Sequence, residues 1–187
     1  SGMGGKHECL AKGVSEILKG LAVQDIHVGV ISTSLGTGGD VCDPKNPRSD
    51  DKARLLNKGP GGSVVVGAEG GYLALGSAGV PDISSLEVKT QELIKGVGQT
   101  GCGLEVQLEA MYRFVADPEP PVSVVSDDFK TAALRDVDYE LLKQRKAFFR
   151  PDSAVAIVMV TDEDDGSIDP LAVGGFVAYL HGRTGSW

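Results

Sequence analysis

The stretch Ala154-Val155-Ala156-Ile157-Val158-Met159-Val160-Thr161, followed at once by Asp162-Glu163-Asp164-Asp165-Gly166, decides how the chain is read. Seven consecutive apolar residues leave no polar face for water. An extended run of this kind is expected as a central parallel strand covered by helices on both sides. In open parallel sheets, ligands sit beyond the carboxyl ends of the strands. Asp162 falls at that mouth, where nothing about the strand itself requires a carboxylate. A solvated turn residue is the plainer alternative.

Upstream of this run, Leu141, Leu142, Arg145, Phe148 and Phe149 predict a helix over about 136–149, ending before Arg150-Pro151. Leu104, Leu108, Met111, Tyr112 and Val115 share one helical face over 103–116, which Asp117-Pro118 and Pro120-Pro121 close. A third helix is predicted over 84–95, with Ser84 and Ser85 as caps and Leu86, Leu93 and Ile94 facing the core. From Gly36 to Ser85 the Gly- and Pro-rich punctuation reads as an insertion, with a hairpin pairing 63–66 with 72–75. The N-terminal part predicts a helix over 7–21, striped by Leu10, Val14, Ile17, Leu18 and Leu21. A mostly buried strand over 26–32 follows it, and Leu171–Leu180 is a weaker strand candidate near the other end. Together these elements predict one α/β domain over residues 1–187: a wound, mostly parallel sheet with helices on both faces.

Composition narrows the function classes. Lys and Arg number 18 against 26 Asp and Glu, a net charge of −8, which disfavours a nucleic-acid partner. The longest apolar run is far short of the ~20 residues of a membrane helix. The three cysteines, Cys9, Cys42 and Cys102, lack zinc-site spacing. They read either as buried or free thiols or as a disulfide joining Cys42 to Cys102. The segment Gly96–Gly101 satisfies G-x-G-x-x-G but follows a predicted helix, whereas a dinucleotide loop follows a strand. None of His7, His27 and His181 stands where a catalytic base is expected, and His27 reads as a satisfied strand histidine.

Thr100, in the Gly-rich loop before the 103–116 helix, is either a helix cap or an oxygen donor to a hard cation. Hydroxyl and carboxylate oxygens suit Mg²⁺ and Ca²⁺, so Thr100 with Asp162 makes a partial site. At these residues the chain resembles the von Willebrand factor A family. Ile157-Val158-Met159-Val160-Thr161-Asp162 looks like its strand-plus-Asp motif, Thr100-Gly101-Cys102-Gly103-Leu104 like its metal-binding Thr, and Ile26–Thr33 like its second strand. With Gly101–Glu105, Arg150-Pro151-Asp152 and Thr161–Asp165, the resemblance over about residues 5–169 is closest to divergent A-like domains of predicted secreted or lipoprotein chains of myxobacteria and related bacteria.

The resemblance implies a metal-ion-dependent adhesion site binding Mg²⁺, Mn²⁺ or Ca²⁺, completed by a carboxylate from a protein or other ligand. Its Asp-x-Ser-x-Ser motif has no counterpart. Ser1 either supplies the last serine of that motif or, the favoured reading, belongs with Gly2 to vector residues before a starting Met3. The sheet is therefore expected to be incomplete at both ends, lacking the first strand and the final elements. Glu163 stands where many A domains place Gly. The expectation is a non-enzymatic, adhesion-type binding domain of a secreted or envelope-attached protein. The rivals are a metal-dependent hydrolase using the acids at 162–165 and a purely structural module without metal.

Overall fold

The computed structural model describes residues 2–21, 25–36, 50–76, 79–102, 105–125 and 133–164. Among the described residues there are four α-helices: α1 (Met3–Gly20), α2 (Ile83–Gly96), α3 (Gln107–Val115) and α4 (Tyr139–Phe148). Four short strands, β1 (His27–Gly29), β2 (Tyr72–Ala74), β3 (Pro121–Val125) and β4 (Ala133–Val137), form two antiparallel pairs, β1 with β2 and β3 with β4.

This corrects the expected wound, mostly parallel sheet. Two observations account for the difference. The apolar run 154–160 has no strand partner and no regular secondary structure. The 26–32 run pairs over three residues only, with His27 opposite Ala74 and Gly29 opposite Tyr72. Its partner comes from the stretch read as an insertion, and the pair is antiparallel, not parallel. The predicted hairpin between 63–66 and 72–75 is replaced by two successive turns. In these, the Ala68 amide donates to Val65 O and the Gly71 amide to Ala68 O. The strand predicted at 171–180 lies outside the described residues.

The chain divides into two compact units, the first comprising Ser1–Ser32, Arg54–Gln99 and Lys143–Asp162, the second Thr33–Ala53, Thr100–Leu142 and Glu163–Trp187. In the first, α1 packs on α2, and α2 also meets β2. Leu18, Ile26, Val65, Ala68, Leu73, Val80, Leu86 and Leu93 form its core, with Val14, Val28, Val30, Leu75 and Ile83 packed around them. Leu86, Leu93 and Ile94 are buried as the helical spacing predicts. On α1 the predicted stripe is buried only in part, since Leu18 is inside while Ile17 and Leu21 are exposed. The cap of α2 is Asp82, not the serines: its Oδ1 accepts from the Ser85 amide at 2.8 Å and its Oδ2 from Ser85 Oγ at 3.1 Å. These bonds favour the ionised carboxylate and hold its pKa below the ordinary value.

The far end of α2 is fixed by close approach. A Cβ at Gly96 would stand 1.9 Å from the carbonyl oxygen of Lys58, so only glycine lets the two backbones pass. Gln144 on α4 ties another crossing in this unit: its Oε1 accepts from the Leu55 amide at 3.0 Å and its Nε2 donates to Leu55 O at 3.4 Å.

In the second unit, β3 and β4 pair with Pro121 opposite Val137 and Val125 opposite Ala133. Asp138 starts α4, its Oδ1 accepting from the amides of Glu140 (3.1 Å) and Leu141 (3.0 Å). Helix α3 is rotated from its expected face. It buries Gln107, Ala110, Arg113 and Phe114, while Leu108 is exposed and Met111, Tyr112 and Val115 are half-buried.

Truncating Leu86 or Leu93 to Ala in the first unit is expected to cost about 2–5 kcal/mol, because each is fully enclosed and leaves a cavity. Urea denaturation followed by circular dichroism measures this. The same change at exposed Ile17 is expected to stay within about 0.5 kcal/mol.

Candidate functional site

Three residues carry the sequence-derived cation site, and the structure treats each differently. Ser1 lies outside the described residues, so that assignment has no structural counterpart. Thr100 belongs to the second unit and Asp162 to the first. Thr100 is exposed and stands seven positions before Gln107, the first residue of α3, so it is not the cap of that helix. The Gly96–Gly101 loop begins at the last residue of α2, so a helix and not a strand precedes it, as the sequence predicts.

Asp162 has a definite partner. Its Oδ2 accepts from the Gly2 amide at 2.6 Å, and one residue earlier Thr161 O accepts from Lys6 Nζ at 2.7 Å. Helix α1 has no side-chain cap of its own and no acid in its first turn. The unpaired amides and dipole of a helix N-terminus favour a negative charge. Asp162 therefore supplies from 160 residues away the carboxylate that the first turn lacks. Of the acidic cluster read as a hydrolase alternative, Glu163 and Asp164 are exposed. Asp165 lies outside the described residues. Among the described residues, no group of three or more His, Cys, Asp or Glu side chains is arranged to hold a metal ion.

His27 is half-buried, and its Nδ1 lies 2.7 Å from Phe148 O. A carbonyl only accepts, so Nδ1 carries the proton and donates. The ring lies 4.7 Å from that of Tyr72 and 6.0 Å from that of Phe148, centroid to centroid. It is a packed, hydrogen-bonded strand histidine, as its sequence position predicts. Arg150 pairs with Asp25 through side chain and main chain alike.

Sequence reasoning missed a buried charged cluster in the second unit. Arg113 is 1% exposed and pairs with Glu109 one turn earlier on α3. Burial raises the Asp50 carboxyl above its ordinary pKa. The charge and amide of Lys52 and the charge of Arg113 pull it down, and Asp51 pushes it up. Nearby in the chain, Ser34 Oγ accepts from the Cys102 amide at 2.6 Å, and Ser34 O from the Asp51 amide at 2.8 Å. Cys102 is disulfide-bonded and Cys9 is a free, exposed thiol. The proposed partner, Cys42, lies outside the described residues. The i,i+4 spacing of Glu109 and Arg113 was the available signal.

Asp162→Ala is expected to lose about 0.3–1 kcal/mol of stability through the α1 terminus. Calorimetric titration of both proteins with Mg²⁺, Mn²⁺ and Ca²⁺ separates this role from a cation ligand, which would show binding heat lost in the variant. For Asp50, a folded-state pKa raised above the unfolded value of 3.8 means the folded chain holds more protons in that window. Stability therefore falls as pH rises from about 4 through the raised value. Asp50→Asn is expected to flatten that fall, which urea midpoints measured across the acidic range would show.

No protein-family model, no characterised protein and no solved structure matches the chain, so its resemblance to the A family rests on the sequence motifs alone.

Proposed function

We propose that the chain is a non-catalytic protein-binding module of an extracytoplasmic protein and that residues 154–160 are its contact surface. One observation carries the reading. Val155, Ile157, Val158 and Met159 are 43–58% exposed, although their side chains are among the most apolar in the chain. A contiguous apolar patch facing water is costly, and in stable proteins it marks a surface that another molecule covers. At about 25 cal/mol per Å² of apolar area removed from water, covering four such side chains is a substantial driving force for association.

The backbone strengthens the reading. Residues 154–160 take part in no hydrogen bond among the described residues. Bonding stops at Ser153, whose amide and hydroxyl donate to Arg150 O, and resumes at Thr161 O. Seven amides and seven carbonyls are thus open to a partner strand, the mode in which main-chain bonds give affinity and alternate side chains give specificity. The disulfide at Cys102 supports an oxidising compartment, because such bonds persist outside the reducing cytosol. No described helix is long and apolar enough to cross a membrane.

The double variant Ile157→Lys/Met159→Lys tests the assignment. If these residues form a contact surface, the melting temperature stays within about 2 °C of the parent, because exposed positions contribute little to folding. A fall of about 10 °C or more would mean that the run belongs to the folding core, and the proposal would fail. Hydrogen exchange gives a second readout, with fast exchange of the 154–160 amides in dilute solution.

A further inference from the structure

We infer that the partner of residues 154–160 is a second copy of the same segment, paired antiparallel about a two-fold axis through Ile157. The inference rests on the contact-surface reading above and adds the identity of the occupant. Three features lead to it.

The first is the unsatisfied backbone. An apolar run with open amides and carbonyls matches another strand better than a helix or a rigid pocket, since only a strand meets both the hydrogen-bonding and the apolar demand. The second is composition. Alternate residues of a strand point to opposite faces, so Val155, Ile157 and Met159 share one face and Ala154, Ala156, Val158 and Val160 the other. Both faces are apolar. Full overlap of two seven-residue runs centres on Ile157, placing Ala154 opposite Val160 and Val155 opposite Met159. Large and small side chains then alternate across the pair.

The third feature, charge, selects the direction. Before the run, residues 143–152 contain Lys143, Arg145, Lys146 and Arg150 against one acid, Asp152. After it come Asp162, Glu163, Asp164 and Asp165. A parallel, in-register pair would set the acids of one copy against the acids of the other. An antiparallel pair sets the basic end of each copy against the acidic end of its mate, at both ends of the ladder. The cations free to act in this way are Lys143 and Lys146, exposed on α4 just before the run, since Arg150 is held by Asp25 of its own chain. A two-fold arrangement makes the same contacts twice and closes on itself, as dimer interfaces do. One acid opposes it: Asp152, in the turn just before the run, lies toward the acidic end of the mate. Asp152 has a positive φ of 65°, a conformation that Asn adopts readily, so the carboxylate can be removed without changing the turn.

Size-exclusion chromatography with light scattering, run over a concentration series, tests the inference on the whole chain. A monomer–dimer equilibrium is expected. Ile157→Lys/Met159→Lys should weaken it about tenfold or more, and Asp152→Asn should tighten it. In a Cys9→Ser background, Ile157→Cys should cross-link two copies on oxidation. Ala154→Cys should not, because antiparallel pairing holds the two positions about 20 Å apart. Cross-linking of Ala154→Cys, or a dimer indifferent to the lysine variant, would overturn the arrangement. A chain that stays monomeric at every concentration, with the lysine variant folded at the parent melting temperature, overturns self-pairing and leaves the contact surface standing. A lysine variant that unfolds removes both.

Discussion

Burial of the leucine ridge on α2 is the contact on which the first unit depends. Leu86 and Leu93 stand two turns apart and are both fully enclosed. Around them gather Leu18 from α1, Leu73 from β2, and Val65, Ala68 and Val80 from the intervening turns. Removing such side chains from water contributes roughly 1.5–3 kcal/mol each. The three-residue pairing of β1 with β2 is too short to stand alone, since an isolated two-stranded ribbon is marginal in water. The helix therefore holds the strands, and the sheet is a consequence of that packing.

This arrangement explains what the amino-acid pattern disclosed and what it did not. Helix α2 was legible because its apolar spacing, its polar opposite face and the serines at its start all pointed the same way. Only the cap was misplaced, by two residues. Helix α3 was legible as a helix but not as a surface. Periodicity assigns the inside to the aliphatic residues, whereas here a buried Arg113–Glu109 pair takes that place. The strands β3 and β4 gave little signal, since prolines crowd the first and charges interrupt the second.

The run 154–160 shows the limit most clearly. Seven apolar residues in a row specify that neither face belongs in water, but not which molecule supplies the cover. A central strand of the chain's own sheet and an open strand awaiting another molecule have the same pattern. Asp162 is ambiguous in the same way. A carboxylate after an apolar run suits a cation, and it suits the N-terminus of α1 equally, because both present positive charge. Local pattern finds the chemical group, and only the long-range fold finds its partner.

The close crossing at Gly96 has a consequence for how α2 can change over time. Leu86 must face the core while Gly96 faces the carbonyl of Lys58, and both requirements act on one rigid helix. Each residue added or removed between them turns one end by about 100° relative to the other. A single insertion or deletion would thus either swing the leucine toward solvent or drive a side chain into the crossing backbone. The interval from 86 to 96 is consequently closed to length variation, even though most of its exposed positions remain free to differ in residue type.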